Sequence, residues 1–262
     1  MDPMELLAFS VNGTEWRLRD VLKLACMEGR FSAVEDSIRR AIMKEFAEQH
    51  QISIDEQEWK AIANELRQQL GLYSTAETLA WLSKRGLTTA DLFESAKARL
   101  LTEKVKRIVS VDKVDAYYLQ NRLSYDKAII SQLIVDSREQ AQELLFQLEE
   151  GEPFYQLAQT YCLNSSSKYD GGYVGSVGRT ELSGEEESFV FSSEAGQSGG
   201  PYPIGSYYRL LYVWEVIPAV LTGELRSKLT DLIYEEWLNE AVKRSDVDVK
   251  LWSYLAGEKQ LG

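Results

Sequence analysis

Between Pro3 and Pro153 the chain contains no proline. A proline inside a helix removes a backbone donor and clashes with the preceding turn, so a stretch of this length without one leaves room for successive long helices. The apolar spacing uses that room from about Asp20 to Asn121. Ser53 with Glu56 reads as a capping box, followed by a stripe of Trp59, Ile62, Ala63, Leu66 and Leu70 that stops at Gly71. Ser74 with Glu77 repeats the pattern up to Gly86, and Thr88 with Asp91 opens a longer helix through Leu100, Val105 and Ile108. Asp112 starts another, through Val114 and Tyr118. Before these helices, Asn12-Gly13 sits between Phe9, Val11 and Trp16, Leu18, the signature of a tight hairpin.

The pattern changes near Ser124. Ile129 to Val135 reads as a strand, and Ser137 with Gln140 caps a helix that closes at Gly151. Pro153 opens a short helix over Phe154 to Tyr161. Strand candidates follow at Tyr173 to Val177 and Tyr207 to Val216, then a helix resumes from Glu224. Val247 to Leu251 predicts one more strand. The expected fold class is α+β: a helical N-terminal domain completed by a C-terminal helix, and a small domain with an antiparallel sheet flanked by helices. The expected boundaries are 1–124, 125–218 and 219–262, the last packing back on the first because its apolar stripe has to be covered.

Composition narrows the functions. There are 29 basic and 41 acidic residues, a net charge of −12, which argues against nucleic acid and anionic membrane as partners. Cys26 and Cys162 are too few and too far apart for a disulfide framework. Met1-Asp2-Pro3-Met4-Glu5 does not read as a secretory signal, and no apolar run is long enough for a spanning helix. The expected location is cytoplasmic. A single histidine, His50, rules out a zinc site built from several histidines, and its place at a helix end suits an interaction with the last carbonyls. The glycine-rich segments 172–178 and 196–200 lack the ending of a phosphate loop, and the acidic clusters near Asp55 and Glu185 lack the spacing of a calcium loop. Trp59, Trp81 and Trp237 fall at helical spacing, which favours core packing over an aromatic peptide cleft.

Five landmarks in the middle of the chain occur in one order. They are Gln132-Leu133-Ile134-Val135, Gly151 to Ala158 (Gly-Glu-Pro-Phe-Tyr-Gln-Leu-Ala), Gly171-Gly172-Tyr173-Val174-Gly175, Ala195-Gly196-Gln197 with Gly200-Pro201, and Tyr208-Arg209-Leu210-Leu211. Together they resemble the parvulin (rotamase) family. The hairpin and helices before Ser124 are similar to the N-terminal region of SurA-type and PrsA-type chaperone foldases, as is the phrase Trp81 to Leu87 followed by Asp91-Leu92.

The resemblance implies a peptidyl-prolyl cis–trans isomerase or folding helper that needs no cofactor and no metal, with unfolded or proline-containing polypeptide as its partner. Such an enzyme lowers a rotation barrier of roughly 18–20 kcal/mol by favouring the twisted amide over the planar one. In the family two histidines support a central Cys or Asp. The counterparts implied here are Gln132, Arg209 and Asn164, with Ser165 the other register. Asn and Gln keep hydrogen-bonding capacity without acid–base chemistry, and Arg is a permanent cation. Cys162 is two positions out of register and reads as a small residue closing a helix. The implied proline pocket comprises Val174, Leu182, Phe189 and Tyr208, although the two aromatic residues also fit core positions. Ser183 to Glu187 reads as a solvated acidic loop. Three functions stay open: a client-binding folding factor with a degenerate isomerase site, a competent isomerase with a rearranged site, and a non-catalytic binder of one partner peptide, for instance in peptide maturation or export.

Overall fold

The computed structural model describes residues 3–256. They form two compact units, one from residues 3–114 with 227–256 and the other from Asp115–Arg226. The fold class is the expected α+β arrangement.

The first unit opens with strands β1 (Leu7–Val11) and β2 (Thr14–Arg17), paired around Asn12-Gly13. Helices α1 (Leu18–Met27), α2 (Ala33–Gln49), α3 (Glu56–Gln69), α4 (Thr75–Ser83) and α5 (Thr89–Ser110) follow. Ser74 and Thr88 cap α4 and α5 through the expected boxes with Glu77 and Asp91. The box expected at Ser53 and Glu56 instead forms two residues later, between Asp55 and Glu58. Lys104 of α5 bonds both the Ser53 carbonyl and the Glu58 carboxylate, which anchors that register from outside the helix. The core of this unit brings Met43 and Ala47 of α2 and Val105 and Val109 of α5 against Tyr234 and Leu238. The last two belong to α11 (Gly223–Arg244). Salt bridges Arg39–Glu235 at 2.8 Å and Lys106–Asp231 at 2.7 Å flank the apolar seam.

The strand expected at Val247 to Leu251 is absent. A helix, α12 (Lys250–Ala256), stands there, with Leu255 buried and Trp252 edge-on to Phe31 at 6.2 Å. A strand needs a neighbour for its backbone groups, and a helix satisfies them within itself.

The second unit takes α6 (Val114–Asn121) from Asp115 onward, then a four-stranded antiparallel sheet in the order β4-β3-β6-β5. The strands are β3 (Lys127–Val135), β4 (Tyr173–Gly178), β5 (Ser198–Ile204) and β6 (Tyr207–Ile217). Helices α7 (Arg138–Glu149) and α8 (Phe154–Tyr161) cover one face, where Leu133, Val135 and Leu210 meet Leu144, Phe154 and Ala158. The other face carries Ala128, Ile130, Leu211 and Val213, and is covered by Val190, Phe189 and Phe191 of α10 (Gly184–Ser192). That helix corrects the expectation of an acidic loop: Ser183 is its N-cap, and Glu186 reaches back to the Ser183 backbone N–H at 2.9 Å. A short helix, α9 (Ser165–Lys168), leads into β4.

Candidate functional site

The sheet itself brings two of the implied site residues together. Gln132 on β3 is paired with Leu211 on β6, and Arg209 lies two positions before Leu211. Side chains alternate along a strand, so Gln132 and Arg209 share the face beneath α10. Arg209 Nη1 lies 3.4 Å from Gln132 Oε1, a long contact at the edge of hydrogen bonding. Gly172 lets β4 begin hard against this point. Its φ is +81°, and a Cβ there would stand 2.3 Å from the Gln132 carbonyl oxygen. The Gln132 N–H donates to the Gly172 carbonyl at 2.8 Å.

The residue that organises the site is one the sequence reading assigned to a loop. Glu186, on the first turn of α10, is almost wholly enclosed, its side chain 3% exposed against 15% for Arg209. Arg209 donates to Glu186 Oε1 from Nε at 2.7 Å, and its Nη2 is ion-paired with the same oxygen at 2.5 Å. Burial pushes the Glu186 carboxyl up, but the hydrogen bonds from Arg209 and Ser183 outweigh it and hold the group below its usual value of 4.5. The pair is therefore an ionised carboxylate against a guanidinium. Ser183-x-x-Glu186 was the available signal, since that spacing is a capping box. Across β5, Tyr202 is the register partner of Arg209. Burial first, then the charges of Glu186 and Glu185, push its phenol up to about 12, so it stays a hydroxyl donor at neutral pH.

The other implied residues are dispersed. Asn164 caps α9, its Oδ1 accepting from the Ser166 N–H at 3.1 Å and the Ser166 hydroxyl at 2.6 Å. Ser165, the other register, is exposed at the start of the same helix. Cys162 closes α8 at 1% exposure and accepts a hydrogen bond from the Ile134 N–H, as suits a structural thiol. Leu182 and Phe189 pack against the core on the Arg209 face. Phe189 lies over Gly199, where a Cβ would come within 2.5 Å of the ring, and is tilted on Tyr202 at 6.1 Å. Val174 is exposed on β4. Tyr208 packs against the core on the opposite face, apart from Leu182 and Phe189.

The helical unit holds a separate concavity. Between α2 and α5 lies a cleft of about 410 Å³, with Met43, Ala47, Ile52, Ala98 and Leu101 in its lining and Arg40, Lys44, Lys97, Glu48 and Glu94 among its polar neighbours. Gln51 also lines it and has a φ of +51°. His50, just before it, caps α2, with Nδ1 2.9 Å from the Phe46 carbonyl. Of the three tryptophans, Trp237 packs on Phe46 at 4.8 Å and Trp59 on Phe93 at 5.0 Å, while Trp81 lies under Arg85 at 4.0 Å.

An antiparallel β4-β3-β6-β5 sheet lies between two helices and a third, with Gln132 and Arg209 on the β3–β6 seam, and this layout is similar to that of a parvulin-type domain. Residues 124–201 match the family model described as the PPIC-type PPIASE domain. Over 231 residues, 80% of this chain and 69% of the relative, the sequence is 26% identical to the foldase protein PrsA of Halalkalibacterium halodurans. The crystal structure of the peptidylprolyl isomerase PrsA from Bacillus cereus shares the fold, with a TM-score of 0.55 and 16% identity over 98% of this chain and 100% of that one. The chain thus carries, beside its helical unit, a stretch that matches the PPIC-type PPIASE domain, and its fold is similar to that of a PrsA structure.

Proposed function

We propose that this chain is a folding factor of the peptidyl-prolyl cis–trans isomerase type. In this reading the helical unit holds an unfolded or proline-containing polypeptide, and the parvulin-type domain turns its prolyl bonds over at a weak site. The observation that carries it is the meeting of Gln132 and Arg209 on the β3–β6 seam, at the positions the family resemblance assigns. The likeness to a relative named a foldase supports the same reading, as does the apolar cleft between α2 and α5, which has room for bulky side chains of a client. The weakness follows from chemistry. Neither imidazole nor thiolate stands at the centre, and Asn164 is engaged as a helix cap.

The assignment of 1–124 to a chaperone domain, 125–218 to the isomerase domain and 219–262 to a packing helix belongs to this proposal. So do the proline pocket of Val174, Leu182 and Phe189, and a cytoplasmic place of action, which cell fractionation tests. No helix among the described residues is long and apolar enough to cross a membrane.

Magnetisation-exchange NMR on Xaa-Pro peptides, with Xaa varied, is the direct test. Protein-dependent acceleration that falls in Arg209→Ala supports the isomerase; none at high protein concentration removes it. A second reading, a non-catalytic binder of one partner peptide, is favoured by the engagement of Arg209 with a buried carboxylate. Tight capture of one peptide without suppression of aggregation of unrelated unfolded clients would establish that instead.

A further inference from the structure

The Arg209 side chain is held in an uneven way. Nε donates to Glu186 Oε1 at 2.7 Å and Nη2 is ion-paired with the same oxygen at 2.5 Å, while Nη1 reaches Gln132 Oε1 only at 3.4 Å. One arm of the guanidinium is therefore weakly committed, and it lies on the seam between β3 and β6. The carboxylate is itself fixed at its second oxygen by the Ser183 N–H at 2.9 Å, so the chain of constraint runs from the start of α10 to the guanidinium. An arginine without a counter-charge is long and flexible, and the cost of burying its unpaired charge would draw water in where an apolar proline ring has to sit. Paired with Glu186, it adds no net charge.

We propose that Glu186 is the positioning residue of this domain, holding Arg209 so that Nη1 is presented as a hydrogen-bond donor to the nitrogen of a bound prolyl peptide bond. The inference rests on the isomerase reading above. In the planar amide that nitrogen's lone pair is delocalised and accepts poorly; as the bond twists the lone pair localises and becomes an acceptor. A donor fixed in advance then binds the twisted state better than the planar one, which is the condition for acceleration. Gln132 serves as the resting partner that Nη1 leaves. Tyr202, the register partner of Arg209 on β5, closes the other side of the pair. No covalent step is involved.

A merely structural ion pair between α10 and the sheet predicts different behaviour, and variants of the full chain separate the two. Glu186→Gln keeps the shape and removes the charge. Glu186→Leu with Arg209→Met replaces the pair by apolar side chains, a change that buried pairs commonly tolerate in folding. For each, NMR reads the exchange rate of an Xaa-Pro peptide, its affinity and the Arg209 Nε–H resonance, and a thermal melt reads folding. The expected result is a loss of about tenfold or more in exchange rate for Glu186→Gln, with affinity held within about twofold, and a shifted or exchange-broadened Nε–H signal. The double variant should fold and remain inactive. An unchanged rate in Glu186→Gln would overturn the positioning role alone, and wild-type exchange rates in the folded double variant would overturn it together with the placing of the isomerase site at Arg209. A wild-type chain that accelerates no prolyl peptide would overturn both the positioning role and the isomerase reading.

Discussion

Gln51 ends α2 one residue beyond its C-cap His50 with φ at +51°, a left-handed conformation usually left to glycine. The next N–H, from Ile52, returns to the Ala47 carbonyl at 2.9 Å, so the turn is well formed despite the strain. Gln51→Gly is expected to raise the stability of the helical unit by about 0.5–1 kcal/mol in denaturant unfolding. If the α2–α5 cleft is the client seat, the same change weakens peptide capture, because the lost side chain is part of the lining. Glu186 gives the opposite case. Glu186→Leu alone leaves Arg209 enclosed without its counter-charge and should cost about 3 kcal/mol in unfolding of the second unit, most of which the added Arg209→Met recovers. The places of Gln132 and Arg209 on neighbouring strands were legible because ordered motifs on either side fixed their positions. The carboxylate that engages Arg209 was not. It lies in a run of three glutamates, and only packing shows which one turns inward.

At the scale of elements, local chemistry carried the reading furthest. The caps at Ser74, Thr88 and Ser137 stand where the spacing put them, because a cap is settled within one turn. The Ser53 box failed because Asp55-x-x-Glu58 fits the same pattern, and a lysine on α5 favours the latter. Asp55→Ala should therefore lower stability by about 1 kcal/mol while Ser53→Ala changes little, as read by chemical denaturation. The box carboxylates also give a pH prediction. Glu58, held by Lys104, and Glu77, held by the Ser74 N–H, lie below their usual 4.5. Asp91, held by the Thr88 hydroxyl, lies below 3.8. Because their folded values are depressed, their contribution is present above the ordinary values and lost as pH falls through the folded ones. Helicity and melting temperature should be flat near neutrality and decline as pH is taken from about 4.5 downward, with Glu186 adding the same sign in the second unit.

Across the whole molecule, the helical unit is discontinuous: α11 supplies Tyr234 and Leu238 to a core otherwise built from α2 and α5. Leu238→Ala should cost about 3 kcal/mol. A chain stopped after Arg226 should lose the cooperative melt of the helical unit in calorimetry while amide protection in the four-stranded sheet persists. By itself the sequence determined the α+β class, the order of most elements, several helix ends and the two strands that carry Gln132 and Arg209. Periodicity, capping and turn chemistry act over a few residues, so a single sequence records them. Tertiary structure alone decided that residues 183–192 fold as a helix over the sheet, that 250–256 is a helix, and that Arg39 meets Glu235 across a separation of 196 residues. It also chose Glu186 as the partner of Arg209 and turned Asn164 into a cap. Those outcomes depend on which polar groups lose water together and on what then offsets that loss, a balance set by neighbours distant in sequence.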